Sequence, residues 1–270
     1  MKKLLTYVMA GFLALTLSAC GSSSSKEDTS LKDVQDKGKL VVALSPDYAP
    51  FEFKTLVDGK DTIVGADVEI AKAIADKLGV EVELSPMSFN NVLASLSSKK
   101  ADIAISGISA TEERAKTFDF SDVYYNAKNI VLIKKENLEK YNTAASLSGK
   151  SIGAQKGSIQ EPIVTEQLSE GHLVSLVQVT EMINELKTGK LDAVVLEETI
   201  AKGYVSQNDD LVIAEIPLKE DDSEPGSAVA MAKGSESLKK AVNEVIEELK
   251  ASGKIDTFVQ EAYELSLSAE

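Results

Sequence analysis

Apolar positions along this chain recur with two periods, and their alternation predicts an α/β protein. Residues 40–44 (LVVAL) form an unbroken apolar run of strand length, read with Gly38 and Lys39 as the first buried strand. Residues 45–53 (SPDYAPFEF) end it, because two prolines forbid helix and fix an extended turn. Tyr48 and Phe51 in that turn are either hydrophobic plugs or one wall of a cleft. Asp58-Gly59 marks a hairpin turn. Asp67 then caps a helix on which Ile70, Ile74 and Leu78 share one stripe. Val80, Val82 and Leu84 alternate as a second strand, and Val92, Leu93 and Leu96 return to helical spacing. Residues 101–105 (ADIAI) read as a short buried strand, broken by Ser106-Gly107-Ile108-Ser109. Ser109 followed by Glu112 has capping-box spacing and predicts a helix from Ala110.

The pattern repeats. Val92, Leu93, Leu96, Asp102 and Ile103-Ala104-Ile105 recur ninety positions later as Met182, Ile183, Leu186, Asp192 and Ala193-Val194-Val195. Two copies of one helix–turn–strand unit predict two similar α/β lobes. Residues 129–133 (NIVLI) are an apolar strand between the copies, where the chain is expected to cross over, and residues 227–231 (SAVAM) would return it. Residues 151–154 open the second lobe as a strand, followed by the polar turn 155–160 (QKGSIQ), which lacks the spacing of a phosphate loop. Leu238, Val242, Val245 and Leu249 define a long helix, Gly253 breaks it, and Phe258, Val259 and Tyr263 seat a last one. The expected division is lobe one at 31–127 plus 227–270 and lobe two at 128–226.

The N-terminus changes the picture. Lys2 and Lys3 precede an apolar run at 4–17, too short to span a bilayer comfortably, and Leu17-Ser18-Ala19-Cys20 resembles the lipobox of bacterial lipoproteins. Cys20 is the only cysteine, which rules out an internal disulfide and fits lipidation. Residues 1–19 are therefore expected to be a signal peptide, and 20–30 a lipidated Cys with a flexible Ser-rich tether. The net charge of −14 becomes −16 without Lys2 and Lys3, so the mature chain repels nucleic acid and anionic lipid. Attachment to the membrane would then be covalent, through Cys20.

Arg114 is the first candidate for chemistry. It falls in or just beyond a first helical turn, where the helix dipole disfavours a cation. Either it reaches back toward the N–H groups and hydroxyls of residues 106–111 to make an anion site, or it pairs at the surface with Glu113 or Asp119. Ser106 and Gly107 leave the first repeated strand where Leu196 and Glu197 leave the second, so Arg114 and Glu197 are placed to face each other across a cleft at the strand ends. The single histidine, His172, stands in a connecting stretch without a second His or Cys, which argues against zinc. No nucleophile elbow exists, and residues 220–224 (EDDSE) lack calcium-loop spacing.

With these residues assembled, the chain resembles the solute-binding proteins of bacterial ABC importers, in the polar amino-acid family (family 3). The resemblance rests on residues 48–53 (YAPFEF), 65–67 (GAD), 102–114, 118–121 (FDFS), 155–161 and 191–197, in that order. It implies a two-lobe periplasmic-binding-protein-like (type II) fold with two hinge strands, and capture of a polar L-amino acid by lobe closure. Arg114, Ser109 and the N–H of Ser109 or Thr111 would grip the α-carboxylate, with Ser158 and the N–H of Ile159 assisting from lobe two. Ser106, the Gly107 carbonyl and Glu197 would take the α-ammonium. Tyr48, Phe51, Asp47 and Gln155 complete the expected site. Glu197 replaces the usual Asp, Ala66 a frequent stacking Phe, and Ser45 an Asp of several basic-amino-acid binders. Asp47, Glu52 and Glu161 near the cleft lean the side-chain specificity toward arginine or lysine, with glutamine next. The expected partners are a permease and its ATPase, with no cofactor, for a monomer anchored on the extracytoplasmic face. The alternatives are a dehydratase-like enzyme on the same fold or a ligand-sensing domain.

Overall fold

The computed structural model of the chain describes residues 28–126, 128–219 and 226–268. The expected leader, Cys20, most of the tether and the acidic run 220–224 lie outside the described residues. In chain order the first half runs α1 (Ser30–Lys37), β1 (Lys39–Leu44), β2 (Asp47–Tyr48), β3 (Glu52–Val57), β4 (Lys60–Val64), α2 (Ala66–Leu78), β5 (Glu81–Pro86), α3 (Phe89–Ser97), β6 (Ile103–Ala104), α4 (Glu112–Ala115) and β7 (Phe118–Phe120). The second runs β8 (Asn129–Lys134), β9 (Ser151–Gln155), α5 (Gln160–Gln167), β10 (His172–Leu176), α6 (Val179–Thr188), β11 (Ala193–Glu197), α7 (Glu198–Gln207), β12 (Leu211–Ala214), β13 (Ala230–Ala232), α8 (Glu236–Ala251) and α9 (Lys254–Ser268).

Two sheets with the same plan organise these elements, in the orders β5-β1-β6-β13-β7 and β10-β9-β11-β8-β12. Each has a parallel trio, β5-β1-β6 or β10-β9-β11, extended by an antiparallel strand, β13 or β8. The repeat seen in the sequence is a repeat of hydrogen bonding. Asp102 Oδ2 accepts from Val41 N (2.7 Å) before β6, and Asp192 Oδ2 accepts from Ser151 N (3.0 Å) before β11. Each carboxylate thereby ties the start of its own strand to the neighbouring strand of its sheet. The apolar faces of each sheet are covered on both sides, giving α/β lobes with buried strands such as β1 and β11.

The crossing between lobes differs from expectation. β8 and β13 are sheet strands; the connecting segments meet before them, where Ser227 N donates to Tyr125 O (2.8 Å) and Tyr124 N to Ser227 O (2.9 Å). Helix α9 sits astride both lobes: it packs on α2 and α8 of the first and on α7 of the second, and Gln207 Nε2 donates to Ser266 O (2.9 Å).

Four local expectations are corrected. Ser30 belongs to α1 rather than the tether, and its backbone N–H donates to Asp28 (2.9 Å). Gly65, not Asp67, is the cap of α2; Asp67 is fully buried one residue inside the helix. The helix expected from Ala110 starts at Glu112, because Thr111 Oγ1 rather than Ser109 accepts from the end of the first turn, at Arg114 N (3.2 Å). His172 opens strand β10 rather than lying in a connection.

Gly65 is irreplaceable for a physical reason. Its φ is +132°, and an added Cβ would stand 2.1 Å from the Phe51 carbonyl oxygen, which itself accepts from Asp67 N (2.9 Å). Gly65→Ala should therefore cost more than about 2 kcal/mol of stability in urea unfolding. A loss below about 0.5 kcal/mol would show that the turn relaxes freely.

Candidate ligand-binding site

A cavity lies where the carboxyl ends of β1, β6, β9 and β11 converge, with both lobes closed over it. Of the eleven residues expected to contact a ligand, nine line it: Tyr48, Ser106, Gly107, Ser109 and Arg114 from the first lobe, and Gln155, Ser158, Ile159 and Glu197 from the second. Asp47 and Phe51 do not. Asp47 instead accepts from Val179 N (2.8 Å) at the start of α6 and from Ser45 Oγ (3.0 Å), joining the lobes beside the cavity. Phe51 is fully buried behind Tyr48, edge-on to Tyr125 with centroids 4.9 Å apart. Of the three carboxylates put forward for a cationic side chain, only Glu52 lines the cavity; Glu161 turns away to Gly157 N (2.8 Å) and Ser175. Phe89 and Gln160 also line it and were not anticipated. Phe89 follows the β5 turn directly, and its position after a strand's carboxyl end is the signal that could have marked it.

Arg114 stands at one end. Its Nη1 donates to Ser109 O (2.8 Å) and its Nη2 crosses to Gly157 O (3.1 Å) in the other lobe, with the Phe89 ring 6.0 Å from Cζ. Asp119, the alternative surface partner, pairs with Lys233 (3.0 Å) and accepts from Gly234 N and Ser235 N. Burial draws the Arg114 pKa down, but an arginine starts so high that it remains a cation. The helper donor expected at Thr111 is already committed, its N–H going to Ser109 O (3.0 Å).

Acids occupy the other end. Glu197 is 5% exposed, and burial, reinforced by the charge of Asp67 and opposed by a hydrogen bond from Tyr48, pushes it up to about 8. Glu52 is fully buried and raised well above the carboxylate range by burial and then by Asp67. Asp67, directly behind the Ser106-Gly107 turn, is lifted by burial to about 6. Gly107 is needed here: its φ is +54°, and a Cβ would come within 3.0 Å of the Tyr48 ring. Glu52 Oε2, Asp67 Oδ1, Glu197 Oε2 and Gln155 Nε2 are buried with no hydrogen-bond partner among the described residues. Unsatisfied buried polar atoms are costly, and a cluster of them around a cavity is the mark of a site that a polar ligand completes.

Contacts across the cavity hold the lobes together. Besides the Arg114–Gly157 and Asp47–Val179 bonds, Gly157 lies so close to the Asn90 backbone that a Cβ would stand 3.2 Å from its Cα. About 10 Å³ of cavity is left between them. A ligand therefore enters only when the lobes part.

Two α/β lobes joined by paired crossing segments, closed over a polar cavity with a cation at one end and acids at the other, define a solute-binding protein. The chain belongs to the bacterial extracellular solute-binding proteins, family 3, which it matches over residues 40–264. It is 38% identical over 258 residues to the arginine-binding extracellular protein ArtP of Bacillus subtilis, covering 95% of this chain and 96% of that one. Among solved structures, it is similar to the amino-acid ABC transporter substrate-binding protein AbpA of Streptococcus pneumoniae bound to L-arginine, with 52% identity, a TM-score of 0.84, and coverage of 87% of this chain and 98% of that one. It is also similar to the ancestral amino-acid-binding protein AncCDT-1, a precursor of cyclohexadienyl dehydratase, with 29% identity, a TM-score of 0.77, and coverage of 86% and 99%.

Proposed function

We propose that this protein captures an L-amino acid with a cationic side chain, arginine foremost, for delivery to an ABC importer. The observation that carries the reading is the imbalance of charge in the cavity. One guanidinium, Arg114, faces two lining acids, Glu52 and Glu197, with Asp67 behind them, and one oxygen of each acid is buried with no donor among the described residues. A zwitterion's carboxylate suits Arg114, where a planar fork can hold two oxygens at once. Its ammonium suits Ser106, the Gly107 carbonyl and Glu197. A second positive charge then answers the remaining acid, which neither glutamine nor another neutral amino acid does. ArtP and the arginine complex of AbpA support the same choice.

Binding rather than catalysis is the fitting role, because an acid opposed to an arginine completes a zwitterion and does not by itself move a proton. The lipobox-like Leu17-Ser18-Ala19-Cys20 supports anchoring by lipid on Cys20, as a monomer on the extracytoplasmic face beside a permease and its ATPase. Thermal-shift screening of the chain from Lys26 against the twenty amino acids, ornithine and citrulline tests the reading. Arginine at about 100 times its Kd should add roughly 2.7 kcal/mol of stability. A shift with glutamine but not arginine would overturn the specificity, and no shift with any amino acid would overturn the function.

A further inference from the structure

At the acid end of the cavity stand two carboxyls, Glu52 in its lining and Asp67 behind the Ser106-Gly107 turn. Glu52 on β3 and Asp67 on α2 are both fully buried and both brace one turn, Glu52 accepting from Ser106 Oγ and Asp67 from Gly107 N (2.9 Å), so that the charge of Asp67 bears directly on Glu52. One oxygen of each, Glu52 Oε2 and Asp67 Oδ1, has no hydrogen-bond partner among the described residues. Two buried like charges set this close cannot both ionise, and a proton held between them supplies the donor that their free oxygens lack. We propose that Glu52 and Asp67 share one proton at neutral pH, and that this pair positions the ammonium end of the site and sets its net charge.

The remaining bonds show how positioning works. Asp67 Oδ2 accepts from Gly107 N (2.9 Å) and from the Tyr124 hydroxyl (3.0 Å), so Asp67 is the natural anion and Glu52 the carrier of the proton. Ser106 Oγ donates to Glu52 Oε1 and accepts from Ser45 N (3.0 Å). With its proton committed to Glu52, the Ser106 hydroxyl can offer a ligand only a lone pair, which selects an ammonium over a carboxylate. The titratable groups facing the pair are Asp47 and Tyr48 on β2, Tyr124 in the crossing segment and Glu197 at the end of β11; the carboxyls of Asp47 and Glu197 favour retention of the proton, while the neutral Tyr124 hydroxyl holds Asp67 as the anion. Glu52, Asp67, Ser106, Gly107 and Tyr124 all belong to the first lobe, so the pair survives when the lobes part.

The charge count follows, resting on the amino-acid reading of the cavity. With one shared proton the pair contributes one negative charge; Arg114 and an ionised Glu197 cancel. The cavity then carries one net negative charge, which one cationic amino acid neutralises. A fully ionised pair would leave two.

The proton is tested without ligand. Each proton held by the native protein and released on unfolding raises the unfolding equilibrium constant about tenfold per pH unit. Glu52→Gln keeps an acceptor for Ser106 and a donor for Asp67 but holds no titrating proton. Between pH 5 and 7 the ratio of the wild-type unfolding constant to that of Glu52→Gln should rise about tenfold per unit, in urea titrations. A ratio that stays flat with pH overturns the shared proton. Selectivity is the second readout. The Glu52→Gln, Asp67→Asn double variant, stripped of the pair's charge, should lose at least tenfold more of the arginine-over-glutamine preference than either single substitution. Equal losses in the singles and the double overturn the charge count. Should the wild type bind no amino acid at all, the functional reading fails while the unfolding ratio still decides the proton.

Discussion

Arg114→Ala should abolish measurable arginine binding by titration calorimetry. Removing one partner of a buried, hydrogen-bonded charge pair costs about 2–5 kcal/mol, or roughly thirty-fold to several thousand-fold in affinity. Two terms act here in the same direction. The ligand's carboxylate would be left facing the carbonyls of Ser109 and Gly157, which accept from Arg114 in the protein and repel an anion once the guanidinium is gone. The closed form would also lose the bond from Arg114 Nη2 to Gly157, one of the links across the cleft. Arg114→Lys should recover only part of the loss, because an ammonium is a point charge without the fork that holds two oxygens. All amino acids should suffer alike, since the carboxylate is common to them. Affinity within fivefold of wild type in Arg114→Ala would place the carboxylate elsewhere, with the loop around Ser158 and Ile159 the next position to test.

The local pattern of the chain carried most of the architecture and the outline of this site. The ninety-residue echo translates directly into the paired strands β6 and β11 and the matching Asp102 and Asp192 bonds, because hydrophobic period and a side-chain–backbone tie are both local. Arg114, Ser106 and Glu197 were legible from their places after those strands. What escaped depends on contacts between segments far apart in sequence. Asp67 has the composition of a helix cap, but its carboxyl is claimed by Gly107 and Tyr124, and Gly65 takes over the cap because its backbone must slip past Phe51. Asp47 carries the charge expected of a ligand contact yet is spent on the α6 N-terminus. Nor does a run of polar residues at 28–30 show that Ser30 will find Ser237 on the far side of lobe one (3.0 Å).

Acid should close this protein without its ligand. With the lobes apart, Glu197 is solvated and titrates as an ordinary glutamate, near 4.5; with the lobes closed, burial and Asp67 push it up to about 8. The closed form thus binds the proton more tightly. Between those two values closing takes up a proton, so each unit fall in pH should favour closure roughly tenfold, levelling off below about 4.5 and vanishing above about 8. Near neutral pH, closure without ligand must either bury a charged Glu197 or capture a scarce proton, and this opposition keeps the cleft available. An α-ammonium beside Glu197 supplies the positive charge that the proton would, so liganded closure needs no proton, and its dependence on pH should be slight over the same range. The ligand's advantage in closing the lobes therefore shrinks as the medium acidifies. Small-angle scattering can follow this as a fall in radius of gyration between pH 8 and pH 5 for the unliganded protein, set against a constant value with saturating arginine. In Glu197→Gln, where an uncharged amide stands in the same place, the unliganded protein should lose this response and close more readily at pH 7. A wild-type radius that ignores pH would mean that burying Glu197 is not what holds the lobes apart.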